Sequence, residues 1–140
     1  MHTVETDWWL LDLPEEWQAE QDDETIVITD EDGVGVLEIT SLEPDNDGQR
    51  VDLHALAKQL VPDGLAGSAA RLGDFEGLYF QYQEEGDAVR EWVLQCDNRL
   101  LLVSYSCDID DAGMDDSFVD EVLDTLESKK PGDEKSETKH

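Results

Sequence analysis

Carboxylates are the side chains of this sequence best placed to do chemistry. The run Glu43-Pro44-Asp45-Asn46-Asp47-Gly48 sets oxygen donors at positions 1, 3 and 5 and glycine at position 6, as a calcium-binding loop opens. The pattern then fails: position 12 is His54, where a bidentate Glu is required, and no helical apolar stretch leads in. A second cluster, Asp108, Asp110, Asp111, Asp115 and Asp116, has no ligand spacing. Loops collect carboxylates in any chain this acidic, so weak calcium binding is the most these clusters imply. No dedicated metal site is expected.

Nucleophiles and cofactor motifs are scarcer still. His2 and His140 lie at the ends, which leaves His54 beside the apolar stripe of a helix, and no signature pairs it with Cys96 or Cys107. Gly33-Val34-Gly35 lacks the third glycine and the following helix of a dinucleotide fingerprint, and no phosphate-binding loop occurs. No catalytic residue and no cofactor are expected. An enzyme using paired carboxylates or a metal is the alternative, and its mark would be a carboxyl titrating well above the usual range.

Charge narrows the partners. There are 37 Asp and Glu against 9 Lys and Arg, a formal net charge of −28. Lys129, Lys130, Lys135 and Lys139 sit at the end of the chain, which leaves Arg50, Lys58, Arg71, Arg90 and Arg99 for the rest. Such a surface repels phosphate backbones and anionic lipid, so neither nucleic acid nor a membrane is an expected partner. A basic protein is attracted; solubility or adaptation to salt, or mimicry of nucleic acid, would explain the same composition. The N-terminal MHTVETDWWLLDLPEEW lacks a basic leader, and the apolar run Leu100 to Val103 is far short of a membrane span. A soluble, cytoplasmic protein is the expectation.

The elements that would position these residues follow from periodicity. Trp8 to Leu13, Thr25 to Thr29 and Val34 to Leu42 read as strands, the last two as a hairpin about Asp30 to Gly33. Glu43 to Gln49 reads as loop. Leu53, Leu56, Ala57 and Leu60 then give one helical stripe, with Asp52 as cap and Pro62 with Gly64 as stop. Phe75 to Glu84, Ala88 to Cys96 and Leu100 to Cys107 form a meander, with a further short strand near Ala69 to Leu72. Phe118, Val119, Val122, Leu123 and Leu126 mark a last helix with its apolar stripe in the core. A turn near Asn98 and Arg99 would pair Cys96 with about Leu101 and Cys107 with about Arg90, too far apart for a disulfide. The order β-β-β-α-β-β-β-α predicts one α+β domain over 1–128, an antiparallel sheet of about six strands packed with helices, and a disordered tail over 129–140.

Three segments carry a resemblance: LxLPxxW (Leu11, Leu13, Pro14, Trp17), DGVGVLEITS (Asp32 to Ser41) and EWVLQCDNRLLLVSYSCD (Glu91 to Asp108) ahead of the final helix. Together, over residues 8 to 128, they resemble the PsbP/Mog-like group of α/β/α sandwich proteins, especially its short bacterial members. The resemblance implies an accessory or binding role, as in a photosystem II extrinsic subunit, a Ran-binding protein and secretion-effector chaperones. It carries over no functional residue.

Aromatic residues supply the candidate contacts. Trp8 and Trp9 are adjacent, so a strand would aim them at opposite faces, and Tyr79 is opposed in the same way to Phe80. Trp8, Trp9, Trp17 and Tyr79 are therefore the expected partner-binding residues, unless helices cover both faces of the sheet. The function expected is a non-enzymatic interaction module, an adaptor, chaperone or immunity-type binder whose acidic surface engages a basic or exposed partner segment. A structural subunit of an assembly is the further alternative.

Overall fold

The computed structural model describes residues 2–6, 9–30, 34–42, 53–62, 64–65, 67–96, 99–114 and 116–128. The acidic loop at Glu43 to Gln49, the cap at Asp52, Trp8, Asp115 and the tail at 129–140 lie outside them. Among the described residues, ten strands and two α-helices are formed: β1 (His2–Glu5), β2 (Trp9–Leu13), β3 (Trp17–Asp22), β4 (Thr25–Asp30), β5 (Gly35–Leu42), α1 (Leu53–Leu60), β6 (Ser68–Leu72), β7 (Phe75–Glu84), β8 (Asp87–Cys96), β9 (Arg99–Asp108), α2 (Asp116–Asp124) and β10 (Glu127–Ser128). Seven strands make one antiparallel sheet in the order β3-β4-β5-β9-β8-β7-β6, and β1-β2-β10 make a second. The α+β class stands, but the main sheet is larger than six strands.

The extra strands have a common physical cause. β3 reads WQAEQD: Trp17 is buried and Ala19 partly so, while Gln18 and Glu20 face water on a sheet edge. One large apolar residue gives no period-2 signal, yet full pairing with β4 makes the strand. β1 and β10 are short and exist through their pairing with β2. The central meander is closed by turns its sequence specifies. Glu85 and Gly86 both have positive φ, 50° and 88°, in the two-residue turn that joins β7 to β8. On the far side, Cys96 pairs with Arg99 and Cys107 with Ala88, a register shifted by two from the expected one. The sulfurs still sit about eight strand positions apart, ~27 Å at the usual rise, and no disulfide joins them.

Alternation sends side chains to two clusters on opposite faces of the main sheet. Trp92 and Leu94 of β8 join Leu37, Ile39, Leu101, Val103 and Tyr105 in the larger one, which the small sheet closes with Trp9, Leu11 and Leu13 and α2 with Val119, Val122 and Leu123. Val93, between Trp92 and Leu94, points the other way, to Leu78, Phe80 and Ala57 of α1. Gly73, with φ at 58°, lets the turn between β6 and β7 pass against the Leu126 carbonyl, which accepts from the Asp74 N–H at 3.0 Å.

Candidate functional site

The site is built around the start of α2. Helix propensity does not hold this short, acidic segment, since DSFVDEVLD has no basic residue in its last turn to offset the dipole. Burial of Val119, Val122 and Leu123 holds it, and Arg90 of β8 ties down its first turn. Its guanidinium donates to Asp116 Oδ1 at 3.3 Å and to Asp120 Oδ1 at 2.8 Å, two acids one helical turn apart. Its Nε donates to the Tyr79 hydroxyl at 2.9 Å, and its plane lies 5.3 Å from the Tyr79 ring and 4.7 Å from the Trp92 ring. Burial disfavours the charge on Arg90, but hydrogen bonds with Tyr79 and Asp120 outweigh it and hold the guanidinium above its usual range.

These contacts correct the expected site. Tyr79 is half-buried, its ring tilted against Trp92 at 5.0 Å and its hydroxyl accepting from Arg90, so it supports the arginine that reaches α2. Trp9 has no exposed surface and gives its indole N–H to Ser41 Oγ at 3.2 Å. Trp17 is likewise buried in the larger cluster. The small sheet and α2 close over the face to which these rings point, which removes Trp9 and Trp17 as surface anchors. Trp8 lies outside the described residues.

Exposed apolar residues occur elsewhere, and close together in the chain. Ile109 is 36 % exposed, Met114 63 % and Phe118 49 %. Ile109 opens a 3-10 turn (Ile109–Asp111) whose N-terminus is capped by Asp108, the carboxylate accepting from the Asp110 N–H at 2.9 Å. The Ile109 N–H also donates to the Gly86 carbonyl at 2.9 Å, which hangs the segment on the turn between β7 and β8. Phe118 was expected in the core stripe, but Val119, Val122, Leu123 and Leu126 fill it and Phe118 falls on its flank.

Acids are frequent within this segment and on the turn beside it. Asp108, Asp110, Asp120 and Glu121 are exposed, as are Glu84, Glu85 and Asp87 on the adjoining turn. Asp87 and Asp108 are direct partners across β8 and β9. Like charges set opposite each other on neighbouring strands destabilise a sheet.

One carboxyl departs in the direction an acid-base site would need. Glu91 is buried and accepts from the Tyr82 hydroxyl at 2.5 Å. Burial pushes its titration up against the opposing effect of that hydrogen bond, while nearby Glu84 adds to the rise. Tyr82 is raised in turn, by burial and then by Glu91. Glu91 is the direct partner of Phe80 across β7 and β8, so the pair lies on the sheet face that α1 covers. Among the described residues, no group of three His, Cys, Asp or Glu is arranged to hold a metal ion, and no helix is long and apolar enough to cross a membrane.

With this geometry in place, comparison with solved structures becomes informative. The chain superposes on the cyanobacterial PsbP (CyanoP) of Synechocystis sp. PCC 6803 with a TM-score of 0.66 at 13 % identity, covering 91 % of this chain and 92 % of that one. The fold is PsbP-like. A protein of Bacteroides thetaiotaomicron VPI-5482 superposes on this chain with a TM-score of 0.71 at 20 % identity, over 93 % of this chain and 49 % of its own, so this chain spans about half its length. LpqN of Mycobacterium tuberculosis, described as involved in cell envelope biogenesis, gives a TM-score of 0.48 at 17 % identity over 87 % of this chain and 83 % of its own. No protein-family model and no curated protein sequence matches the chain.

Proposed function

We propose that this protein is a non-enzymatic interaction module whose α2 corner takes a Lys- and Arg-rich amphipathic segment of a partner protein. The observation that carries the reading is the setting of Ile109, Met114 and Phe118, three exposed apolar side chains within ten residues, among the carboxylates of two adjoining turns. The apolar side chains would supply short-range affinity, and the carboxylates long-range attraction and orientation. A cationic segment would also relieve the repulsion between Asp87 and Asp108. In this reading the module has three layers, with α1 on one side of the main sheet and α2 with the small sheet on the other, so binding leaves the α1 side untouched.

The test is a displayed random-peptide library panned on the protein at low salt, with counter-selection on a Met114→Ala, Phe118→Ala double variant. Enriched peptides should pair basic with large apolar residues and release at moderate salt. Peptides without basic residues, or peptides that bind the double variant equally, would sink the proposal.

A further inference from the structure

The second apolar cluster of the molecule is incompletely filled. Between α1, the following segment and β7 lies a cleft of about 430 Å³, within the ordinary range of small-molecule sites. Its floor is Leu78 and Phe80, and its wall is Ala57 and Val61. His54 and Lys58 also line it; both are exposed, four residues apart, on one face of α1. No Asp or Glu is among its described lining residues, although the chain holds 37 acids.

That contrast states what the cleft would accept. The protein's overall field attracts cations everywhere, so an apolar hollow here would by default collect cationic amphiphiles. At this rim Lys58 places an ammonium beside the apolar floor. The geometry points to a ligand site for a small carboxylate amphiphile, with the apolar body on Leu78 and Phe80 and the head group on Lys58. His54, one turn before Lys58, offers a second polar contact to the same head group. The apolar contact sets affinity and the lysine sets the sign of charge selected. This site lies on the opposite face of the sheet from α2, and it does not depend on the α2 corner binding a protein.

The probe is decanoate, followed by amide chemical shifts of the whole chain and compared with decyltrimethylammonium of the same chain length. Saturable shifts confined to α1 and β7, with decanoate at least tenfold tighter than the cation, are expected. Lys58→Glu changes an exposed position and should weaken decanoate at least tenfold. Ala57→Leu puts extra volume into the cleft and should abolish binding; if that variant fails to fold, Lys58→Glu alone decides. The Met114→Ala, Phe118→Ala variant should bind decanoate unchanged. Equal or tighter binding of the cation, no saturation below the micellar range, or indifference to Lys58→Glu would each overturn the inference.

Discussion

Arg90 Nη2 donates to Asp120 Oδ1 across 2.8 Å, and this bond joins the middle strand of the meander to the helix that forms the candidate surface. The two ends of the bond are unequal. The Arg90 side chain is 13 % exposed and the Asp120 side chain 58 %, so solvent screens the ion pair and most of the value lies in the arginine's own packing.

Arg90→Ala should therefore cost about 2 kcal/mol, from two lost cation–π contacts and the buried guanidinium stem. Asp120→Asn should cost less than about 1 kcal/mol, as exposed ion pairs do. Arg90→Lys keeps the charge but not the fork, and should fall between them. Urea unfolding of the three variants checks the order; equal losses for Arg90→Ala and Asp120→Asn would show that the ion pair, not the stacking, holds α2.

Asp87 faces Asp108 across the strand ends. Removing one charge with Asp87→Asn should stabilise the protein by roughly 0.5 kcal/mol and slow its association with a basic partner. Thermal melting and stopped-flow association at low salt read the two effects. A variant that melts lower and associates as fast would contradict the role given to this pair.

Glu91 makes a pH-dependent prediction. Its carboxyl is raised above the ordinary 4.5, first by burial, so the folded state holds the proton more tightly than the unfolded one. The stability linked to that proton is full below the unfolded value and is lost as pH rises through the folded one. Glu91→Gln keeps an acceptor for the Tyr82 hydroxyl without a charge to bury. It should be more stable than the parent near pH 7 and indistinguishable from it near pH 4. A constant difference across that range would remove the carboxyl as its cause.

A Cβ at Gly73 would meet the Leu126 carbonyl oxygen at 1.8 Å, at a φ of 58°. Gly73→Ala should destabilise by about 2 kcal/mol or more. The loss should come with weaker hydrogen-exchange protection at Asp74, whose N–H donates to that carbonyl. Unchanged protection there would mean the turn adapts without leaving the end of α2.

The parts of this fold legible in the sequence are those whose side chains carry their own period. The stripe of Leu53, Leu56, Ala57 and Leu60 gives α1, and the turn at Glu85-Gly86 with alternation on both sides gives β7 and β8. β3 escaped because its outward positions are polar and its pairing comes from β4. The place of the candidate site was not legible. Composition gives the acids but not their neighbours: Trp9 and Trp17 are interior, and Tyr79 lies half-buried against Arg90. Phe118, four residues before Val122, reads as core by helical spacing. Its exposure is a matter of how α2 is seated, which no local pattern records.

The most direct measurement is an affinity capture from native lysate with two baits, the parent protein and the Met114→Ala, Phe118→Ala variant, each washed at low and at moderate salt and read by quantitative mass spectrometry. Substitutions at exposed positions should change stability by no more than about 0.5 kcal/mol, and melting curves of both baits will show that they are comparably folded. One or a few basic proteins should be retained by the parent at low salt, released at moderate salt and missing from the variant. Capture that does not distinguish the two baits, or no basic protein on the parent at low salt, would contradict a binding role for the α2 corner.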